Sequence, residues 1–490
     1  MAQNILPFAL DPDQDFLTAD IHAKFSKDLQ RACKESDYLE DYLRHIPLHE
    51  IGVPEYYDDP PRSLGDLDNP HLIYSTKDGL FTHIFPDKLG ARHHFICVEP
   101  TIVVDISHLL PKVEERLVAF AEQIGQIEDV EDKRKLLLAL IDRLCTIHPP
   151  QPGKRSTKLV VTPKELQALR YRVIRDKIGL GVLQPLLHDS FIEDISCSGV
   201  GHIFIEHKIF GSVQSSIVFR NHEEVDQFAV WLGEWIKHPV TVRNPLVDAV
   251  LPDGSRINIV YGSEISKRGS NFTIRKFGGK PISVLQLIEF GSLNYMMASY
   301  LSFMLEEELN MFVVGATASG KTTLLNALNT FLKPSAKIVT IEDTPEVMVP
   351  HENWIQETTR QGAGDSKGSE VGMFELLKAA LRQRPDRIIV GEIRSMEAVV
   401  AFQAMQTGHG VMSTFHASSV EKLIQRLTGD PINIPKTYID NLNLAVIQSA
   451  VRLANGKRAR RVLSVNEIIG YDPVTDSFSF LEAFRWNPET

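Results

Sequence analysis

The chain contains little cysteine: four residues in 490, Cys33, Cys97, Cys145 and Cys197. They lie far apart with no C-x-x-C pair, so neither a zinc knuckle nor a disulfide scaffold is suggested, and reduced cytosolic thiols are the expectation. It also lacks a run of about 20 apolar residues, so no transmembrane segment of its own is expected. Its start, Met1-Ala-Gln-Asn-Ile-Leu-Pro7, has neither the charged stretch nor the apolar core of a signal peptide. Positive charge is in deficit: 52 Lys and Arg against 63 Asp and Glu give a net charge of -11, so no direct nucleic-acid contact is expected. A cytoplasmic protein that reaches a membrane through a partner fits these absences. The rest is ordinary globular composition, 43% hydrophobic, at a length that suits two to four domains.

Breakers divide the chain. Helical spacing predicts a helix over Ile21–Arg44, and strand-like runs follow at Leu72–Tyr74, His83–Phe85 and Phe95–Val98. Val113, Leu117, Phe120 and Ile124 recur at helical spacing inside a predicted long helix, Pro111–Cys145. His148-Pro-Pro-Gln-Pro-Gly153 is the clearest linker, so residues 1–155 are expected to form a domain of their own. Thr162-Pro-Lys-Glu165 reads as a helix start with Pro at its first position. Strands at Ile203–Glu206, Val213–Phe219 and Arg256–Tyr261 with a helix at Glu223–Ile236 make residues 160–277 an α+β domain. Gly278-Gly-Lys-Pro281 reads as a hinge. Residues 282–490 alternate strands and helices, with Gly362–Ser369 a Gly/Ser-rich loop and Ala454-Asn-Gly-Lys457 a hairpin turn. His71, His93 and His94 have no partners at metal-ligand spacing and are expected at the surface.

The chemistry begins at Gly315-Ala-Thr-Ala-Ser-Gly-Lys-Thr322, a G-x-x-x-x-G-K-[ST] phosphate loop. It stands between the apolar run Met311–Val314 and the helical run Thr323–Leu332, the strand–loop–helix setting the motif requires. Backbone N–H groups of Gly315, Ala316, Thr317, Ala318, Ser319 and Gly320 would face the phosphates, and the helix start at Thr322 and Thr323 adds partial positive charge. Lys321 would reach the β- and γ-phosphates of ATP, and the Thr322 hydroxyl would ligate Mg²⁺. The strand Lys337–Ile341 then ends in Glu342 and Asp343, at the edge where ligands bind in α/β sheets. A second buried strand, Arg387–Arg394, carries Glu392, placed to orient or deprotonate an attacking water. Thr407–His416 sets His409 and His416 at the two ends of a short strand, where either could sense the γ-phosphate. Plainer readings stay open: Glu342 and Asp343 as caps of the next element, His409 as a turn residue.

Taken together, these four boxes resemble the type II/IV secretion-system ATPases, the motors of protein secretion, type IV pili, archaeal filaments and conjugation. Leu381-Arg-Gln-Arg-Pro-Asp-Arg-Ile-Ile-Val-Gly-Glu-Ile-Arg394 is the most specific stretch. Phe191–Ser196, Leu251-Pro-Asp-Gly-Ser-Arg256 and Phe272-Thr-Ile-Arg-Lys-Phe277 match the superfamily's N-terminal domain, and the resemblance spans roughly 160–470. It implies an α/β fold: a RecA-like P-loop ATPase domain with a mostly parallel sheet, preceded by an α+β domain and an extra N-terminal domain. It further implies a homo-hexamer with ATP between domains, arginines of the N-terminal domain reaching nucleotide (Arg256 and Arg275, with Arg243 a weaker match), and a polytopic membrane platform protein as partner at the inner face of the membrane. Surface salt bridges are the alternative for Arg256 and Arg275.

Two departures sharpen the resemblance. Where many P-loop enzymes hold Mg²⁺ with an Asp, this chain has Gly391 beside Glu392, which leaves the metal to Thr322 and Glu342. No cysteine follows Cys197, so the four-cysteine zinc insertion of bacterial type II motors is absent, which points to archaeal secretion and filament motors and to the compact conjugation-type ATPases. The function expected is ATP hydrolysis driving secretion or filament assembly. A conjugation-type ATPase supporting DNA transfer is the alternative, and a nucleotide-binding scaffold with little turnover is a third reading.

Overall fold

The computed structural model describes residues 3–11, 14–87, 92–148, 158–278, 281–360, 371–453, 456 and 458–488. The chain divides into two compact units, Met1–Phe277 and Gly278–Thr490.

The first unit is organised by one mixed sheet. Its strands run in the order Leu246–Val250, Arg256–Val260, Asn271–Arg275, Ile192–Cys197, Gly201–His207, Gly211–Phe219, His94–Val98, Phe81–Phe85, Leu72–Ser75, Glu55–Tyr57. Alternation builds these strands: Ile203, Ile205 and His207 are buried while Glu206 faces out. The two halves meet where Gln214 pairs in parallel with His94 and Ser215 with Phe95. Residues on both sides of the expected 155–160 boundary therefore share one sheet. Most of the Pro-rich linker and the residues Gly279 and Lys280 of the hinge lie outside the described residues, as does Gly362–Ser369.

Two predicted helices are broken. Ile21–Arg44 resolves into Ala19–His22, Lys27–Glu35 and Asp37–Arg44, because the Ser26 side chain accepts from Leu29 N and so starts a fresh helix. Pro111–Cys145 resolves into Leu110–Val118, Ala121–Gly125 and Val130–Leu144, the last started by the Asp129 carboxylate accepting from Asp132 N. In both cases apolar spacing continues across the break, so periodicity alone runs the pieces together. The start at Thr162 is as expected, with Glu165 completing a capping box. The histidines correct another expectation. His71, His93 and His94 are all half-buried, since they sit at or beside sheet strands. His71 stacks on fully buried His83 with ring centroids 5.1 Å apart. Burial pushes the His71 imidazole down to about 4. All four cysteines are free and buried.

The second unit holds an eight-stranded sheet in the order Trp354–Thr358, Ile338–Glu342, Arg387–Ile393, Gly410–Phe415, Met311–Val314, Leu444–Arg452, Arg458–Asp472, Ser477–Arg485. The first six strands are parallel and the last two antiparallel, so the sheet is mostly parallel, as expected, although it closes on a β-meander. The hairpin turn expected at Ala454–Lys457 falls between two antiparallel strands, Leu444–Arg452 and Arg458–Asp472; Ala454, Asn455 and Lys457 lie outside the described residues. Strands buried on both faces read as continuous apolar runs, and Met311–Val314 is fully buried. Buried Arg387 donates to the carbonyls of Leu305 at 3.1 Å and Leu309 at 2.9 Å, closing the end of the helix Tyr295–Glu306. Burial lowers its guanidinium to about 10. The first arginine of the Arg387–Arg394 box is thus a helix cap. Among the described residues no helix is long and apolar enough to cross a membrane.

Candidate active site

The phosphate loop leaves the central parallel strand and enters the helix Lys321–Leu328. Gly315 N donates to Phe415 O at 3.1 Å, which ties the loop's first residue to the neighbouring strand. Ala316, Thr317 and Ala318 are exposed, while Gly315 and Ser319 are buried. Lys321 is half-buried and its Nζ donates to Ala316 O at 3.1 Å, arched back over the loop. Burial lowers the Lys321 pKa, and the nearby Glu392 carboxylate pulls it back up. Thr322 and Thr323, half-buried, form the helix's first turn beside it.

Two carboxylates arrive at the same edge by different routes. Glu342 ends its strand and is 2% exposed. Its Oε1 accepts from Glu346 N at 2.9 Å and Val347 N at 2.8 Å, in a segment that begins no helix or strand, so this oxygen pins the following loop and caps no element. Its Oε2 is buried with no hydrogen bond. Burial pushes the carboxyl up to about 7, against the two backbone N–H groups and a weaker pull from Gln356. Gly391 makes the room: a Cβ there would stand 2.9 Å from Glu342 Cγ. An aspartate at 391 would therefore collide with Glu342, and this chain brings its carboxylate to that point from the neighbouring strand.

Glu392 depends on a bulge. Val390 pairs with Ser413 and Glu392 with Thr414, which leaves Gly391 as an extra residue in the strand. Before the bulge, Ile388 and Val390 face one apolar cluster and Ile389 the other; after it, Ile393 joins the side of Ile388. Strict alternation would have sent Glu392 into that cluster. The bulge turns it to the opposite face, where it bears on Lys321 and accepts from Arg394 Nε at 2.8 Å.

The histidines separate. His416 lies at the loop end of the strand Gly410–Phe415, with Nε2 3.0 Å from Thr317 Oγ1. His409 lies at the other end, a strand length of about 20 Å away, and its Nδ1 is 3.0 Å from Thr407 Oγ1. It does not join the cluster, and the turn-residue reading fits where it sits. Arg256 and Arg275 belong to the first unit, opposite one another on adjacent strands. Each carries the salt bridge that was the alternative: Arg256 Nε to Asp248 at 2.9 Å, Arg275 Nε to Asp194 at 3.3 Å. Sequence reading missed the far side of the loop, where Arg460 Nε donates to Ala318 O at 3.2 Å across 142 residues of chain, a separation that no local motif signals.

Glu342 makes the stability of the nucleotide-free, metal-free protein pH-dependent. Its folded pKa, about 7, stands above the unfolded value near 4.5. The native state therefore holds a proton that the unfolded chain releases between these values. Its contribution is fully present below about pH 4.5 and is lost as pH rises through about 7. Between pH 4.5 and 8 the urea stability of the wild type should fall by about 3 kcal/mol relative to Glu342→Gln. Parallel pH profiles of the two proteins would rule this out.

The donor set suits a hard cation at a triphosphate: a buried carboxylate oxygen without a hydrogen bond, and a threonine hydroxyl residue at a helix start. No cluster of three or more His, Cys, Asp or Glu able to hold a metal alone occurs among the described residues, so a cation here would lean on nucleotide oxygens.

Comparison with known proteins gives a match of residues 176–473 to the model described as Type II/IV secretion system protein. Uncharacterized protein MJ0900 of Methanocaldococcus jannaschii is 42% identical over 477 residues, 94% of this chain and 85% of its own. Type IV secretion system protein VirB11 of Bartonella quintana is 30% identical over 295 residues, 51% of this chain and 80% of its own. Conjugal transfer protein TrbB of Rhizobium radiobacter is 28% identical over 305 residues, 61% of this chain and 90% of its own.

Proposed function

This chain belongs to the type II/IV secretion system protein family, and from that premise we propose that it is a hexameric ATP-hydrolysing motor. It works at the inner face of the membrane, delivering force to a polytopic platform protein to secrete protein or assemble a pilus- or archaellum-like filament. The observation that carries this is the convergence of Lys321, Glu342 and Glu392 on one edge of a parallel sheet around a phosphate loop.

Lys321 binds the β- and γ-phosphates and offsets the charge that develops on them. Loop N–H groups from Gly315 to Gly320 and the helix start at Thr322 and Thr323 hold the remaining oxygens. Thr322 and the free oxygen of Glu342 would hold Mg²⁺, which would supply charge neutralisation when bound. Glu392 orients the attacking water and takes its proton. His416 reads the γ-phosphate through Thr317 and passes its loss to the strand Gly410–Phe415. Arg256 and Arg275 exchange their carboxylates for nucleotide oxygens.

The test is phosphate release by the purified full chain, with and without detergent-solubilised membranes of the source cells, followed by identification of what the ATP-held protein retains. Turnover together with a retained polytopic membrane protein and filament subunits supports the reading. Absence of turnover in every condition sinks the motor and leaves a nucleotide-binding scaffold. VirB11 and TrbB, named for type IV secretion and conjugal transfer, give the second reading its weight. Retention of DNA-processing proteins, with turnover stimulated by DNA in a salt-sensitive way, selects it.

A further inference from the structure

The phosphate loop contains two left-handed residues, Ala318 at φ 60° and Gly320 at φ 92°. Glycine adopts that region freely; in alanine the Cβ crowds the following carbonyl, so the conformation needs support from outside the residue. The support comes from the strand Arg458–Asp472. Arg460 Nε donates to Ala318 O at 3.2 Å, and its stem runs so close to Gly320 that a Cβ there would lie 3.0 Å from Arg460 Cδ.

That strand is itself fixed to the stem of the loop. Ala450 pairs with Arg460, and the strand Leu444–Arg452 that carries Ala450 lies parallel to Met311–Val314, with Ile447 beside Val314. One residue further along both strands, a Cβ on Gly315 would collide with the carbonyl of Gln448. A single two-stranded wall thus grips the loop at its entry and at its left-handed turn.

We propose that Arg460 is a positioning residue for nucleotide: it holds Ala318 left-handed and thereby keeps the loop's N–H groups aimed at the phosphates before nucleotide arrives. The inference rests on the reading of this loop as an ATP site. It acts through the loop and not by touching the nucleotide. Its loss therefore weakens binding while leaving the rate at saturating ATP largely intact, and the weakening depends on which residue stands at 318.

The experiment is Mg·ADP titration by calorimetry on the full-length wild type, Arg460→Ala, Ala318→Gly and the double variant, with ATP turnover measured alongside. Arg460→Ala should weaken Mg·ADP binding about tenfold, with kcat within about twofold of wild type. Ala318→Gly supplies a second background whose own affinity is the reference, and on that background Arg460→Ala should cost no more than about threefold. Arg460→Lys, which retains a donor on a long stem, should fall between wild type and alanine and serves as the second variant should alanine impair folding. An equal loss on both backgrounds, or no loss on either, overturns the proposal. Wild-type protein that does not bind Mg·ADP overturns the ATP reading instead, and this inference with it.

Discussion

Lys321→Ala should reduce ATP turnover by at least ~10³-fold. The size follows from what the ammonium does and where it stands. In the proposed reading it is the cation that meets the phosphates in the loop, and half-burial already lowers its pKa, so its field is less screened than that of a surface lysine. Alanine removes that charge at the point where negative charge moves toward the β–γ bridge, and the neighbouring cations are already engaged, Arg394 by Glu392 and Arg460 by the Ala318 carbonyl. The fold should survive, because the hydrogen bond Lys321 makes is to the exposed Ala316 carbonyl. Steady-state phosphate release, with a thermal melt as fold control, checks this. Turnover within a few-fold of wild type would remove Lys321 from the catalytic assignment.

Glu392→Gln should behave differently: a kcat about 10²–10³-fold lower with nucleotide affinity nearly unchanged. Glutamine keeps the shape and still offers an oxygen to Arg394, so the bulge and its neighbours stay in place. What it loses is the capacity to accept a proton. Glu342, whose Oε1 is committed to Glu346 N and Val347 N and whose Oε2 the proposed reading gives to the cation, is not a substitute base. The decisive comparison is single-turnover cleavage against equilibrium binding of the same nucleotide. Slowed cleavage with intact binding assigns Glu392 to the chemical step. Intact cleavage moves the base elsewhere, and weakened binding of similar size makes Glu392 a binding residue.

Much of this site was legible in the sequence because its parts are local. The loop, its strand and its helix are contiguous, and Glu342 and Glu392 each end an apolar run whose direction follows from parallel topology. What was not legible depends on contacts between distant segments. Gly391 reads as a missing aspartate until the neighbouring strand shows Glu342 filling that space. The bulge that aims Glu392 leaves no trace in Ile-Ile-Val-Gly-Glu-Ile, since apolar residues line both faces. His409 and His416 look equivalent by spacing, yet a strand has two ends and only one meets the loop. The motif arginine Arg387 proved to be a helix cap, because the helix it closes lies far upstream in the sequence. The breaks near Ser26 and Asp129 were hidden by apolar periodicity that carries across them.

The parallel pairing of Gln214 with His94 also governs how this molecule can be cut and recombined. Were synthesis to begin at residue 158, the strand Gly211–Phe219 would lose its partner along one side, and a row of unsatisfied backbone groups would face solvent beside buried Val213, Ile217 and Phe219. Such a margin invites another copy to add on, so the shortened protein would be sticky and poorly behaved rather than a smaller working version. The amino-terminal region is in this sense not a detachable accessory. Exchanging it between relatives would require carrying over the whole span up to Phe277, which makes that span the natural unit for engineering.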